Sequence, residues 1–186
     1  MNPPDPSYPT DPFAEPVIQI KVSTLRHLAI FGIVVLLLAG MAITFYEITK
    51  PTILTGSSRF TTRQSYRPPV EIKVIAKTDS TNLRLAYAAD QIIFNWEENP
   101  TQLRVDGGPA DGLHKDGAGQ IPAGKYVTVK WVVTTTNQAI YVDGALRYEH
   151  AGDYSQINRP VSVFPASGST VTVSSLTLKP LANPSR

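Results

Sequence analysis

The chain has 186 residues, with 17 Lys and Arg against 15 Asp and Glu, and no cysteine. The missing cysteines exclude disulfides, thiolate nucleophiles and thiolate metal sites. The basic excess is local: residues 68–180 carry ten Lys/Arg against eleven Asp/Glu, whereas 47–67 carries Lys50, Arg59, Arg63 and Arg67 against Glu47 alone. The net positive charge therefore does not mark a nucleic-acid surface, and no nucleic-acid partner is expected.

Residues 1–20 hold Pro3, Pro4, Pro6, Pro9, Pro12 and Pro16 among Asp and Ser. Such a segment has few apolar groups to offset chain entropy and favours polyproline II or disorder, so residues 1–26 are read as a flexible tail. Next comes Leu28–Tyr46, LAIFGIVVLLLAGMAITFY, 19 residues without a charge. At about 1.5 Å of rise per residue a helix of this length matches the hydrocarbon thickness of a bilayer. A transmembrane helix is expected over 27–48. The run exceeds the usual apolar core of a signal peptide and follows a long, partly acidic segment, so it is read as a retained anchor.

Gly40 and Thr44 form a small-xxx-small pair of the kind that lets helices approach, but a lone anchor in lipid is preferred. Lys21 and Arg26 precede the span, and Lys50, Arg59, Arg63 and Arg67 follow it, which leaves orientation open on charge alone. The four following cations are placed to meet lipid phosphates. Residues 49–69 are rich in Ser, Thr, Arg and Pro without any period, and read as a linker ending at Pro68-Pro69.

Beyond it the pattern becomes that of strands. Val70–Ala76 and Asn82–Tyr87 alternate apolar and polar residues, as half-buried strands do. Gln91–Trp96 is apolar on both faces over part of its length, which predicts a central strand. Gln102–Val105, Tyr126–Val133, Ala139–Val142, Ala145–Tyr148, Val161–Phe164 and Val171–Leu178 complete nine expected strands. Asp143-Gly144 tolerates positive φ at both central positions of a type I′ turn and predicts a hairpin. Many short strands with turn residues between them, and no soluble helix, predict a mainly β fold: an antiparallel β-sandwich over 70–181, a tail over 182–186, and the single transmembrane helix in front.

Ile140-Tyr-Val-Asp-Gly-Ala-Leu-Arg147 resembles the hairpin of laminin-G-like and concanavalin A-like jelly-roll domains. Val171–Leu181 is similar to the last strand of their keto-disaccharide-hydrolase-like relatives. The resemblance covers residues 70–181. It implies two curved sheets with a concave face that often holds sugar, a domain usually found outside the cytoplasm, and members that include lectins, glycosidases and adhesion modules.

The side chains narrow this further. Jelly-roll glucanases carry an alternating E-x-D-x-x-E pattern on one strand, and none is present here. Glu97 and Glu98 are adjacent and read as turn carboxylates, so no catalytic residue is assigned. The loop from Asp106 to Gly119 repeats Asp at 106, 111 and 116 among five glycines. Its spacing matches no known calcium loop, and His114 has no second His or Cys nearby, so no metal and no cofactor are expected. Trp96, Glu97, Arg104 and Asp106 lead into this loop and, with His114 and Tyr154, form the expected ligand-binding set, because aromatic faces stack on sugar rings while Arg and Asp hydrogen-bond hydroxyls. Trp131 is expected in the core.

The sequence thus points to a single-pass protein of the cytoplasmic (inner) membrane. It meets lipid through 27–48 and displays outside the cytoplasm a non-catalytic sandwich that binds a glycan or a protein. The alternatives are a glycan or keto-sugar hydrolase, or a structural subunit of an envelope assembly.

Overall fold

The computed structural model describes residues 50–182. The proline-rich tail and the apolar run over 28–46 lie outside the described residues, among which no helix is long and apolar enough to cross a membrane. The chain divides after Ile48, and the described residues belong to the second unit.

Eleven strands run β1 (Thr52–Thr55), β2 (Phe60–Thr61), β3 (Val70–Thr78), β4 (Leu83–Ala86), β5 (Gln91–Phe94), β6 (Arg104–Asp106), β7 (Val127–Val133), β8 (Asn137–Val142), β9 (Ala145–Ala151), β10 (Ser162–Phe164) and β11 (Thr170–Pro180). They form a six-stranded sheet in the order β1-β11-β3-β7-β8-β9 and a five-stranded sheet in the order β2-β10-β4-β5-β6. Every pairing is antiparallel. All nine expected strands form. The segment read as a linker is corrected, because it contributes β1 and β2. Both are edge strands, and β1 buries only Leu54. With so little side-chain burial such strands carry no alternation that a sequence could display.

The strong alternation of β7 places Val127, Val129, Trp131 and Val133 in the core, while Thr128, Lys130 and Val132 point outward. Val70, Ile72, Val74 and Ala76 of β3 do the same. From the other sheet come Leu83, Leu85, Ile92, Phe94 and Val105. Trp131 is 1% exposed, meets Tyr87 edge-on at 6.1 Å, and donates its indole N–H to Gln138 Oε1 at 3.0 Å. A buried indole N–H needs such a partner. β5 is flanked by β4 and β6, in keeping with its two apolar faces. The Asp143-Gly144 hairpin forms with φ of 49° and 84°, and Asp143 Oδ1 also accepts the Thr128 N–H at 2.8 Å, which ties the turn to β7.

One buried amide sets where β5 ends. Asn95 adopts φ of 49°, a left-handed conformation that asparagine tolerates. Its Nδ2 donates to Ser80 O at 3.2 Å and Ile121 O at 2.9 Å, and its Oδ1 accepts the Ile121 N–H at 2.8 Å. Its own N–H reaches Gly119 O, and its carbonyl takes the Asn82 N–H, both at 3.0 Å. Three segments distant in sequence are joined there, and the chain leaves at Trp96 in a fixed direction.

Asn95→Ala is expected to lower the unfolding free energy by about 3 kcal/mol, because it strands buried backbone groups without partners. A urea titration followed by tryptophan fluorescence measures this, and an unchanged midpoint would contradict it.

Burial raises the Tyr87 phenol to about 12 and also raises Tyr148 and Tyr154. In the unfolded chain these phenols ionise near 10. Above that pH the folded state holds more protons than the unfolded one. Stability is therefore intact below about pH 10 and falls as pH rises towards 12, by about 1.4 kcal/mol per pH unit for each phenol. Unfolding midpoints taken through this window should decline, with an added step of tyrosinate absorbance accompanying unfolding. A flat profile would contradict the assignment.

Candidate functional site

Side chains alternate along a strand, so each inward residue of β4, β5 and β6 commits its neighbours to the outer face of the five-stranded sheet. Register then decides who meets whom. Phe164 lies opposite Arg84, Arg84 opposite Ile93, and Ile93 opposite Arg104. In the next row Ser162 lies opposite Ala86, and Gln91 opposite Asp106.

These outer residues are wired together. Arg84 donates to Asn82 Oδ1 through Nε at 3.1 Å and through a terminal nitrogen at 2.8 Å, and to Gln91 Oε1 at 3.1 Å. Its longer contact, 3.4 Å, reaches Glu97. Gln91 passes its own N–H to Asp106 Oδ2 at 2.8 Å. Asp106 accepts Arg104 Nε at 2.9 Å through both oxygens. Arg104 in turn lays its guanidinium over the Trp96 ring, 4.4 Å from the centroid. The result is one continuous chain, Glu97–Arg84–Gln91–Asp106–Arg104–Trp96, around Ile93, which is itself buried.

The face stays open. The Glu97 side chain is 48% exposed and that of Arg104 32%, and Trp96 is half-buried. An indole plane beside fixed guanidinium, carboxylate and amide groups suits a ligand with one apolar face and a rim of hydroxyls. For acid–base work the set is less suited, because both oxygens of Asp106 are already committed to Arg104 and Gln91.

Beside Arg84 the face opens into a cleft of about 770 Å³, lined by the turn Gly56–Arg59, Arg84, Glu97 and the stretch Phe164–Ser167. Arg59 stacks on Phe164 there, 3.8 Å from the ring centroid.

Four of the six expected ligand residues, Trp96, Glu97, Arg104 and Asp106, are thus brought together. The structure gives the other two different surroundings. His114 accepts the Val105 N–H on Nδ1 at 3.1 Å and fastens its loop to the edge of β6, beside the bridge between Leu103 and Lys115. Tyr154 is 1% exposed and sits in the core, sharing a 2.8 Å hydrogen bond with His150 Nδ1, so it cannot touch a ligand on the outer face.

The aspartates of the Asp/Gly loop hydrogen-bond within the domain. Asp106 serves Arg104 and Gln91, Asp111 Oδ1 accepts the Gly107 N–H at 2.6 Å, and Asp116 takes Gln102 Nε2 at 2.8 Å. Among the described residues no three carboxylates or imidazoles gather where they could hold a metal. Gly108 has φ of 72°, and a Cβ there would strike the Ala88 carbonyl oxygen, which explains a glycine at this close approach.

Sequence reasoning missed Arg84, Gln91, Arg59 and Phe164. Arg84 and Gln91 did carry a signal, since both occupy polar positions beside buried residues in expected strands. Their meeting depends on register, which alternation does not give.

No protein-family model matches the sequence, and no curated protein is a detectable relative. Solved structures do align. Galectin LEC-6 of Caenorhabditis elegans matches at a TM-score of 0.50 and 10% identity, over 69% of this chain and 95% of that one. The Bacillus licheniformis beta-glucanase matches at 0.52 and 14%, over 71% and 78%. A native glycosidic hydrolase matches at 0.53 and 14%, over 72% and 80%. At these identities the likeness concerns the fold, and the described domain is a concanavalin A-like jelly roll.

Proposed function

We propose that this is a single-pass membrane-anchored protein, that its jelly roll is displayed outside the cytoplasmic membrane, and that the outer face of the five-stranded sheet binds a glycan without cleaving it. The observation that carries the binding function is the Trp96–Arg104–Asp106 group on that face. The indole supplies a stacking plane, Arg104 is held flat against it, and Asp106 fixes the guanidinium with a two-oxygen contact. Planar groups locked in advance lose little entropy when they order a ligand. The neighbours' names, a galectin and a beta-glucanase among them, support a sugar as that ligand. Anchoring rests on the uncharged run Leu28–Tyr46, and the outside placement on the resemblance to laminin-G-like domains.

Hydrolysis is the second function to weigh, because Glu97 and Asp106 share the face. It requires two carboxylates across the scissile bond, whereas Asp106 already accepts hydrogen bonds from Arg104 and Gln91.

A glycan array probed with the full chain in neutral detergent should give positive sugars. Trp96→Ala and Arg104→Ala should each weaken binding by about 30-fold, the loss typical of a central aromatic or arginine anchor. Binding unchanged in both variants would remove this face from consideration. Sugar turnover that disappears in Glu97→Gln would favour the hydrolase. Protease added to intact cells should cut the domain if it lies outside; full protection, with cutting only after lysis of the membrane, would overturn that placement.

A further inference from the structure

The cleft beside Arg84 is a product of chain crossing. The turn between β1 and β2 passes from the six-stranded to the five-stranded sheet, and the stretch between β10 and β11 passes back at the same end, where Thr55 pairs with Thr170 and Val171 with Thr78. The first turn is closed by the Ser58 N–H on Thr55 O at 2.9 Å, with Gly56 at φ of 57°. One step beyond the Phe60–Val163 pair, this brings Arg59 over Phe164. Arg59 is exposed, and among the described residues no carboxylate pairs with it; the three ion pairs present join Arg84 to Glu97, Arg104 to Asp106 and Arg159 to Asp90.

Stacking on a ring orders a guanidinium while leaving the N–H groups along its edge free to donate. Arg84, across the same cleft, is oriented by its hydrogen bonds to Asn82 and Gln91, and its one ion pair is the long 3.4 Å contact to a half-exposed Glu97. An exposed pair of this kind contributes little, so an incoming anion displaces Glu97 at small cost. Ser57, Ser58 and Ser167 also line the cleft.

The charges along the face follow the same order. Arg59, Arg84 and Arg104 occur at every second strand position of one row, roughly 10 Å apart by the usual strand spacing. Glu97 and Asp106 offset two of them, and the surplus cation sits at the cleft.

We propose that this cleft is an anion subsite, so that the ligand of the face is an acidic polysaccharide. A carboxylate or sulfate ester on one sugar is held between Arg59 and Arg84. The sugars beyond it pass over Ile93 towards Trp96. The proposal rests on the glycan-binding function above and specifies its substrate class.

The test titrates the full chain, in neutral detergent, with three polymers: a polyuronate, dextran sulfate and uncharged dextran. The polyuronate and the sulfate arms separate the two sources of negative charge, and both should bind more tightly than dextran. Arg59→Gln should weaken the charged arm by about tenfold, the scale of one charge-assisted hydrogen-bonded contact, and leave dextran unaffected. Trp96→Ala should weaken all polymers that bind. Lys73→Gln, on the other sheet, controls for unspecific attraction and should change nothing. Arg59 is exposed, so near-ultraviolet circular dichroism should show an unaltered fold. If Arg59→Gln leaves the charged arms unchanged, or Lys73→Gln weakens them equally, the anion subsite is wrong while a Trp96-dependent binding of dextran would still uphold the glycan face. If Arg59→Gln abolishes binding that Trp96→Ala does not touch, the cleft stands and the glycan face falls. Absence of binding to all three overturns the proposal.

Discussion

Register in the five-stranded sheet is the constraint on which the rest of the molecule depends. β4, β5 and β6 each bury alternate residues, and the pairing of Arg84 with Ile93 and of Ile93 with Arg104 follows once Leu83, Leu85, Ile92, Phe94 and Val105 face the core. A slip of one residue would send the arginines inward and the leucines to water. Unpaired buried guanidinium groups cost several kcal/mol each, and exposing the leucines would forfeit about 2 kcal/mol apiece. The hydrophobic core therefore enforces the polar face, without any separate stabilisation of that face.

The face must still accommodate like charges at short range. Three arginines along one row would repel if left alone, and each is handled differently. Arg104 shares its Nε–H between both oxygens of a carboxylate; Arg84 is engaged mostly by neutral amide oxygens of Asn82 and Gln91; Arg59 uses an aromatic ring. The first arrangement compensates the charge, the last leaves the cation uncompensated. This gradient along the row, from compensated at Trp96 to uncompensated at the cleft, is a property of sequence positions that the fold makes neighbours. Asn95 contributes from behind, because its hydrogen bonds determine the direction in which Trp96 and Glu97 leave β5.

Much of the fold was legible in local pattern. β3 and β7 alternate so regularly that their inner faces could be written down, and Asp143-Gly144 formed its hairpin as its conformational tolerance requires. β1 and β2 were not legible, since edge strands with little burial leave no period. Four site residues were recognisable because Trp, Glu, Arg and Asp cluster within eleven positions of one another, 96–106. Arg59 and Phe164 were not, being joined only through the pairing of β2 with β10, over a hundred residues apart in sequence. Tyr154 misled for a different reason. Its polar neighbours in Gly152-Asp-Tyr-Ser155 suggest a surface loop, but the ring joins the core, and His150 satisfies its hydroxyl.

The two outer faces of the sandwich are chemically unlike, and the difference favours the five-stranded one as the place of recognition. On the six-stranded sheet Lys73 lies directly opposite Lys130, a like-charge pair that destabilises slightly, and Lys77 is close by on the same strand. The aromatic rings there meet lysines, Tyr141 the Lys130 ammonium at 4.3 Å and Tyr126 that of Lys77 at 5.2 Å. Lysine is a hydrated point charge on a flexible stem, so it attracts anions without fixing their orientation. The five-stranded sheet instead carries arginines held in plane by Asp106, Asn82 and Gln91. Orientation of a sugar demands donors whose positions are set before it arrives, and only this second face supplies them.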